Sequence, residues 1–173
     1  MRIAVISFTK QGARISGRIK TALEEQEHTE VFCCTKCNAF RKEAEQMNSL
    51  KGQMIFVEEP LADWTRAQFG TSDALIFVGA CGIAVRAIAP AVRDKLTDIP
   101  VLVLDELGQY VIPILSGHYG GGNELAVLLA ERLGAQAVLT TATDVNGLFA
   151  VDVFAVKNKL AITDRKMAKE ISA

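Results

Sequence analysis

The chain has 173 residues, half of them hydrophobic, and its 19 basic and 20 acidic side chains leave a formal charge of −1. That composition belongs to a folded protein rather than a disordered or fibrous one, and the length suits one core with a tail rather than two complete domains. Near-neutral charge provides no overall field to recruit nucleic acid or an acidic membrane surface, so a small-molecule partner is the better expectation.

Taken in chain order, Met1 to Phe8 is an apolar, β-rich run closed by Thr9, Lys10, Gln11 and Gly12. It lacks the longer apolar stretch and cleavage site of a secretory signal, and no window reaches the roughly 18 to 20 apolar residues of a membrane helix. A cytosolic location with reduced thiols is therefore expected. From Ala13 to Glu25, Ile15, Ile19 and Leu23 recur at helical spacing, which predicts a strand followed by a helix. Glu30 to Cys34 reads as a second strand, and the polar stretch Asn38 to Lys51 as a surface helix or loop. Met54 to Val57 gives a short strand, and Leu61, Trp64 and Phe69 a short helix before Gly70.

Ala74 to Val78 has the character of a buried strand, Gly79 and Gly82 bracket a tight turn, and Ile83 to Ala89 continues as a helix closed by Pro90. The runs Val101 to Leu104 and Val111 to Leu115 are joined by a short link containing Gly108, which favours a hairpin. After it come Ser116 to Glu124, an amphipathic helix through Leu125, Leu128, Leu129 and Leu133 ended by Gly134, and a strand at Ala137 to Thr141. Such alternation predicts an α/β layered domain, its mostly parallel sheet covered by helices on both faces and made mixed by the hairpin. We divide the chain into an α/β amino-terminal domain, 1–148, and a helical linker or truncated start of a following region, 149–173. Within the second part, Val151 to Leu160 reads as helical, and Thr163-Asp164 as an N-cap to a helix from Arg165 to Ile171.

Three stretches carry candidate chemistry. Ser116-Gly117-His118-Tyr119-Gly120-Gly121-Gly122-Asn123-Glu124 joins a buried strand to a helix amino terminus, where unsatisfied amides attract anions and glycines admit a ligand close to the backbone. It matches neither phosphate-loop pattern, G-x-x-x-x-G-K-[S/T] or G-x-G-x-x-G. His118 is one of two histidines in the chain, and an imidazole in a loop can exchange protons near neutral pH, although such residues are also common as plain surface groups. Thr140-Thr141-Ala142-Thr143-Asp144 offers hydroxyls and a carboxylate, which a helix cap would equally explain. A strand-helix-strand crossover from Val111 to Thr141 brings this loop and the His118 loop to one sheet edge. The turn Gly79-Ala80-Cys81-Gly82, with Arg86 one helical turn on, is a third anion-binding candidate or simply a tight turn. If the hairpin forms, it lies at the edge opposite His118.

Cys33, Cys34 and Cys37 form a cluster five residues beyond His28. Adjacent cysteines rarely reach one tetrahedral ion and no second Cys-x-x-Cys pair exists, so ordinary thiols and no protein metal site are expected.

Gly82 to Pro90, Val111 to Leu125 and Thr140 to Asp144 together resemble, in order and spacing, the amino-terminal part of the cobalamin biosynthesis protein G family. The resemblance is close over about Gly79 to Asp152. It implies cobalt-precorrin 5A hydrolase activity in anaerobic cobalamin biosynthesis, in which a δ-lactone opens and a two-carbon fragment leaves as acetaldehyde. Such a reaction needs a base, a donor for the departing oxygen and stabilisation of an oxyanion. The implied catalytic residues are His118 as base, Asp144 orienting it, and Ser116. Oxyanion donors would be the amides of Gly120 to Gly122 with Ser116 or Thr141, and the substrate would be bound by Gly117, Gly120, Gly121, Gly122, Asn123, Thr141, Thr143, Gly82 and Arg86. No cofactor is implied, because cobalt arrives inside the corrinoid substrate. Members of the family continue into a carboxy-terminal domain, so the alternative is a non-catalytic corrinoid-binding or partner-docking module that needs such a domain, and the expected partners are a carboxy-terminal domain or further copies of the chain in a homo-oligomer. A nucleotide or sugar-phosphate enzyme is a more distant reading of the same glycine loop.

Overall fold

The computed structural model describes residues 1–46, 54–146, 151, 154, 155, 158, 160–164 and 167, with backbone alone at 45, 46, 143 and 144. Among them, strands and helices alternate as β1 (Arg2–Ser7), α1 (Lys10–Glu24), β2 (Glu30–Thr35), α2 (Asn38–Gln46), β3 (Ile55–Phe56), α3 (Leu61–Phe69), β4 (Ala74–Val78) and α4 (Cys81–Ile88). They are followed by β5 (Val101–Leu104), β6 (Tyr110–Leu115), α5 (Gly122–Leu133), β7 (Gln136–Ala137) and the single-turn α6 (Ala142–Val145). The strands form one sheet in the order β3-β2-β1-β4-β5-β6-β7. All neighbours are parallel except β5 and β6, which pair antiparallel as the expected hairpin.

The central strands read as unbroken apolar runs because both of their faces are covered. Along β1, Ile3 and Val5 enter a core with Ile15, Ile19 and Leu23 of α1 and Leu125 and Leu129 of α5. Ala4 and Ile6 point the other way, toward Trp64 of α3 and Ala84, Ala87 and Ile88 of α4. The alternation of a strand thus splits one sequence run between two hydrophobic cores, α1 and α5 on one face and α3 and α4 on the other. On the second face Trp64 meets Phe77 edge-on, ring centroids 6.5 Å apart.

The helices α1, α4 and α5 start two or three residues earlier than hydrophobic spacing suggests. α1 opens at Lys10, with Thr9 as its N-cap accepting from the Gly12 amide at 2.9 Å. α4 starts at Cys81 and α5 at Gly122. The hairpin is shaped by Asp105, whose carboxylate accepts from the amides of Leu107, Gln109 and Tyr110, while Gly108 supplies the positive φ of 70°. The strand expected at 137–141 is only the two residues of β7, Gln136 and Ala137, an edge strand followed by the connection Val138 to Thr141 before α6.

Much of 149–173 lies outside the described residues, so the helices expected there are not described as elements. Asp164 nonetheless behaves as an N-cap, accepting from the Met167 amide at 3.0 Å. Among the described residues no helix is long and apolar enough to cross a membrane.

Candidate functional site

The reversal at β5–β6 decides where each loop lies. Strands β1 to β5 run one way, and β6 and β7 the other. The carboxyl ends of β6 and β7 therefore share an edge with the amino ends of the remaining strands. Ser116 to Gly121 leaves β6 there, and Val138 to Thr141 leaves β7 beside it. The two connections touch: Asn123 Nδ2, at the start of α5, donates to Thr141 Oγ1 at 3.0 Å. The single edge expected for these loops is what the structure has.

Gly79 to Gly82 follows β4 and sits at the other edge, the Gly79 amide bonding to the Leu104 carbonyl at the end of β5. The Arg86 guanidinium reaches back along α4 to the Gly82 carbonyl at 3.1 Å. Gly82 and Arg86 therefore do not join the His118 loop in one site. They border the crevice beyond β1 and β4, where strand order changes direction, a place where α/β sheets often bind ligands. A sequence reader with the hairpin pairing could have separated these residues; the glycine pattern alone could not.

Within the His118 loop, two of the three amides expected to receive an oxyanion, those of Gly121 and Gly122, are turned inward. Gly121 N–H donates to the His118 carbonyl at 3.0 Å, Gly122 N–H to Ser116 at 3.1 Å and Asn123 N–H to Gly117 at 2.8 Å. The loop thus caps the first turn of α5 with its own carbonyls, satisfying donors that a helix start otherwise leaves open. Gly120 is needed for this close folding: a Cβ there would lie 2.6 Å from the Ser116 Cβ and 2.8 Å from its carbonyl oxygen. The glycines let the loop approach itself rather than a ligand, which corrects the expectation that Gly121 and Gly122 offer oxyanion donors.

Ser116 adopts the left-handed conformation, φ 53°, uncommon for a residue with a side chain. Its hydroxyl donates to the Asp98 carbonyl at 2.7 Å. That proton is engaged in anchoring the loop to the segment entering β5, so the structure gives Ser116 a holding contact in place of the catalytic one expected. Asp98 is the residue sequence reasoning missed. It is 8% exposed, its carboxylate accepts from the Arg93 amide at 2.8 Å, and its carbonyl fixes Ser116. Nothing in the run Leu96-Thr97-Asp98-Ile99-Pro100 distinguishes it from an ordinary turn.

His118 is half-buried and Tyr119 exposed. Thr141 is half-buried opposite Asn123. The backbone of Thr143 and Asp144 lies in α6, immediately after Thr141; their side chains, and with them the expected Asp144 contact to His118, are outside the described residues. A cavity of about 220 Å³ lined by Arg2, Phe32, Cys34 and Trp64, and a groove of about 430 Å³ along α1 lined by Arg14, Lys20, Phe40 and Met54, involve neither loop.

The cysteines are dispersed. Cys33 and Cys34 point to opposite faces of β2, into the two main cores, and Cys37 packs with Ala13, Phe40 and Ala44 in a third. Cys33 Sγ donates to the Ser16 carbonyl at 3.2 Å. Their burial makes them core residues.

Fold and site define a mixed-sheet, three-layer α/β domain in which two strand-to-helix connections are bridged by a buried asparagine. The family described as Cobalamin synthesis G N-terminal matches residues 63–144, a span that contains both connections. Over 107 residues the chain is 51% identical to the cobalt-precorrin-5A hydrolase of Salmonella typhimurium, a match covering 62% of this chain and 30% of that protein. It is 33% identical over 151 residues to that of Priestia megaterium, covering 87% of this chain and 38% of the relative. The crystal structure of a cobalamin biosynthesis protein G homologue from Sulfolobus solfataricus superposes with a TM-score of 0.60 at 19% identity, covering 98% of this chain and 44% of that one, and shares the fold. Over these spans the chain is similar to the amino-terminal part of cobalamin biosynthesis G proteins. It spans about a third of the length of these two curated relatives.

Proposed function

We propose that this chain forms part of a cytosolic cobalt-precorrin 5A hydrolase and that the His118 edge is where the lactone of the corrinoid substrate is opened. The observation that carries the reading is the bridge from Asn123 to Thr141, which ties the connection bearing His118 to the one bearing Thr141 within the family-matching span. His118 would take a proton from water as it attacks the lactone carbonyl, and the Thr141 hydroxyl would donate to the tetrahedral oxyanion. Collapse breaks the acyl C–O bond, leaving a carboxylate and an alkoxide. The alkoxide then becomes the carbonyl of acetaldehyde as its C–C bond to the ring breaks, and that electron pair remains on the macrocycle and takes up a proton. The sum is lactone plus water giving acid plus acetaldehyde, with no oxidant. Cobalt travels in the substrate, and no protein metal or organic cofactor enters the scheme.

Acetaldehyde release from cobalt-precorrin 5A by the purified chain, followed by mass spectrometry of the corrinoid product, tests the reading directly. Because the chain spans only a third of its relatives, binding without turnover is the outcome that favours a corrinoid-binding module completed by a carboxy-terminal domain or a second copy. Neither binding nor turnover would refute both readings.

A further inference from the structure

Resting on the hydrolase reading, we propose that Asn123 is a positioning residue that sets the Thr141 hydroxyl as the hydrogen-bond donor to the lactone oxyanion. Asn123 is 7% exposed, and its Nδ2 donates to Thr141 Oγ1 at 3.0 Å. An amide NH₂ only donates, whereas a hydroxyl both donates and accepts. The bond therefore occupies a lone pair of Thr141 and leaves the hydroxyl proton for another acceptor. Among the described residues that proton has none.

The rest of Asn123 is fixed to the His118 loop. Its amide N–H bonds to the Gly117 carbonyl at 2.8 Å, and its Oδ1 fills the space beside Gly117 so closely that a Cβ on that residue would come within 2.5 Å. One side chain thus registers the loop bearing His118 and the connection bearing Thr141 against each other. The need for such a donor comes from the loop itself. The amides of Gly121, Gly122 and Asn123 are engaged by loop carbonyls and the Ser116 hydroxyl by Asp98, so these donors are spent on structure. A directed side-chain hydroxyl supplies a donor in their place.

Substitutions of matched shape separate this role from simple packing. Asn123→Asp keeps the outline of the side chain but presents only acceptors when ionised, so Thr141 must turn its proton inward to meet it. Thr141→Val removes the hydroxyl, and Thr141→Ser retains it. In single-turnover acetaldehyde release by the full-length protein, Asn123→Asp and Thr141→Val should each lose about 10²-fold, the loss typical of one oxyanion donor. Thr141→Ser, which keeps the hydroxyl, should recover most of what Thr141→Val loses, and the Asn123→Asp, Thr141→Val double variant should be no slower than the slower single. Affinity for cobyrinic acid, a stable corrinoid polycarboxylate, should change little throughout.

Wild-type turnover in Asn123→Asp, or losses that multiply in the double variant, would overturn the role of Asn123 and leave the hydrolase reading intact. If Asn123→Asp fails to fold, the Thr141 pair decides, since equal rates for the Val and Ser variants remove the hydroxyl from the chemistry. No acetaldehyde from the wild-type protein overturns the hydrolase reading and this role with it.

Discussion

His118 belongs to a loop whose neighbouring residues are committed to holding it. Ser116 is tied to Asp98, Gly120 folds against Ser116, and Gly121 bonds to the carbonyl of His118 itself. A side chain on so constrained a segment can be aimed without the cost of ordering a flexible loop at each turnover, which is the advantage of a rigid support for acid-base chemistry. Replacing His118 by Ala should leave fold and corrinoid affinity close to wild type while slowing acetaldehyde release by about 10²- to 10⁴-fold, the range of a general base. Single-turnover rates measured beside corrinoid affinity check this, and a rate near wild type would exclude His118 as the base. At this scale the sequence made His118 and the glycines conspicuous. It could not show which amides the loop uses for itself, because that depends on where each carbonyl points after folding.

Among the elements, β2 shows how a motif-like spelling can be pure packing. Cys33 and Cys34 are neighbours in sequence but face different cores, so each is a small apolar side chain for its own layer. Burial pushes the Cys33 thiol up from 9.0 to about 12, with the nearby Cys34 and Glu24 adding to the rise and Lys20 opposing it. Burial likewise raises Cys34 to about 11, against a hydrogen bond with Trp64. Both groups ionise in the unfolded chain at lower pH than in the folded one. Their thiol forms therefore support the fold fully below about 9, and that support is lost as pH rises toward 11 to 12. Urea unfolding midpoints should accordingly fall as pH is raised from about 9 to about 11, and less steeply in Cys33→Ala after allowance for that variant's lower starting stability. A midpoint that is flat over that range in wild type would show the two thiols to be more hydrated than their packing indicates.

For the whole molecule, the β5–β6 reversal is the decisive feature. It sends the ends of β6 and β7 to the edge opposite the crevice beyond β1 and β4, separating the His118 loop from Gly82 and Arg86. The same sheet divides the three clustered thiols among separate cores. Protein purified without an affinity tag should contain no stoichiometric zinc or iron by elemental analysis. Metal at one equivalent that vanishes on Cys37→Ser substitution would contradict the packing described.

The sequence by itself determined the layered α/β architecture, the hairpin and the strand-loop-helix units that carry the family pattern. Each is written locally: apolar runs such as Ala74 to Val78 are buried on both faces, and Gly108 beside Asp105 turns the chain within a few residues. Only the tertiary structure decided which loops share an edge, that Asp98 anchors Ser116 across 18 residues, and that Asn123 meets Thr141 across another 18. Those contacts depend on strand order and direction, and parallel or antiparallel pairing between distant segments leaves no fixed spacing in the sequence from which it could be read.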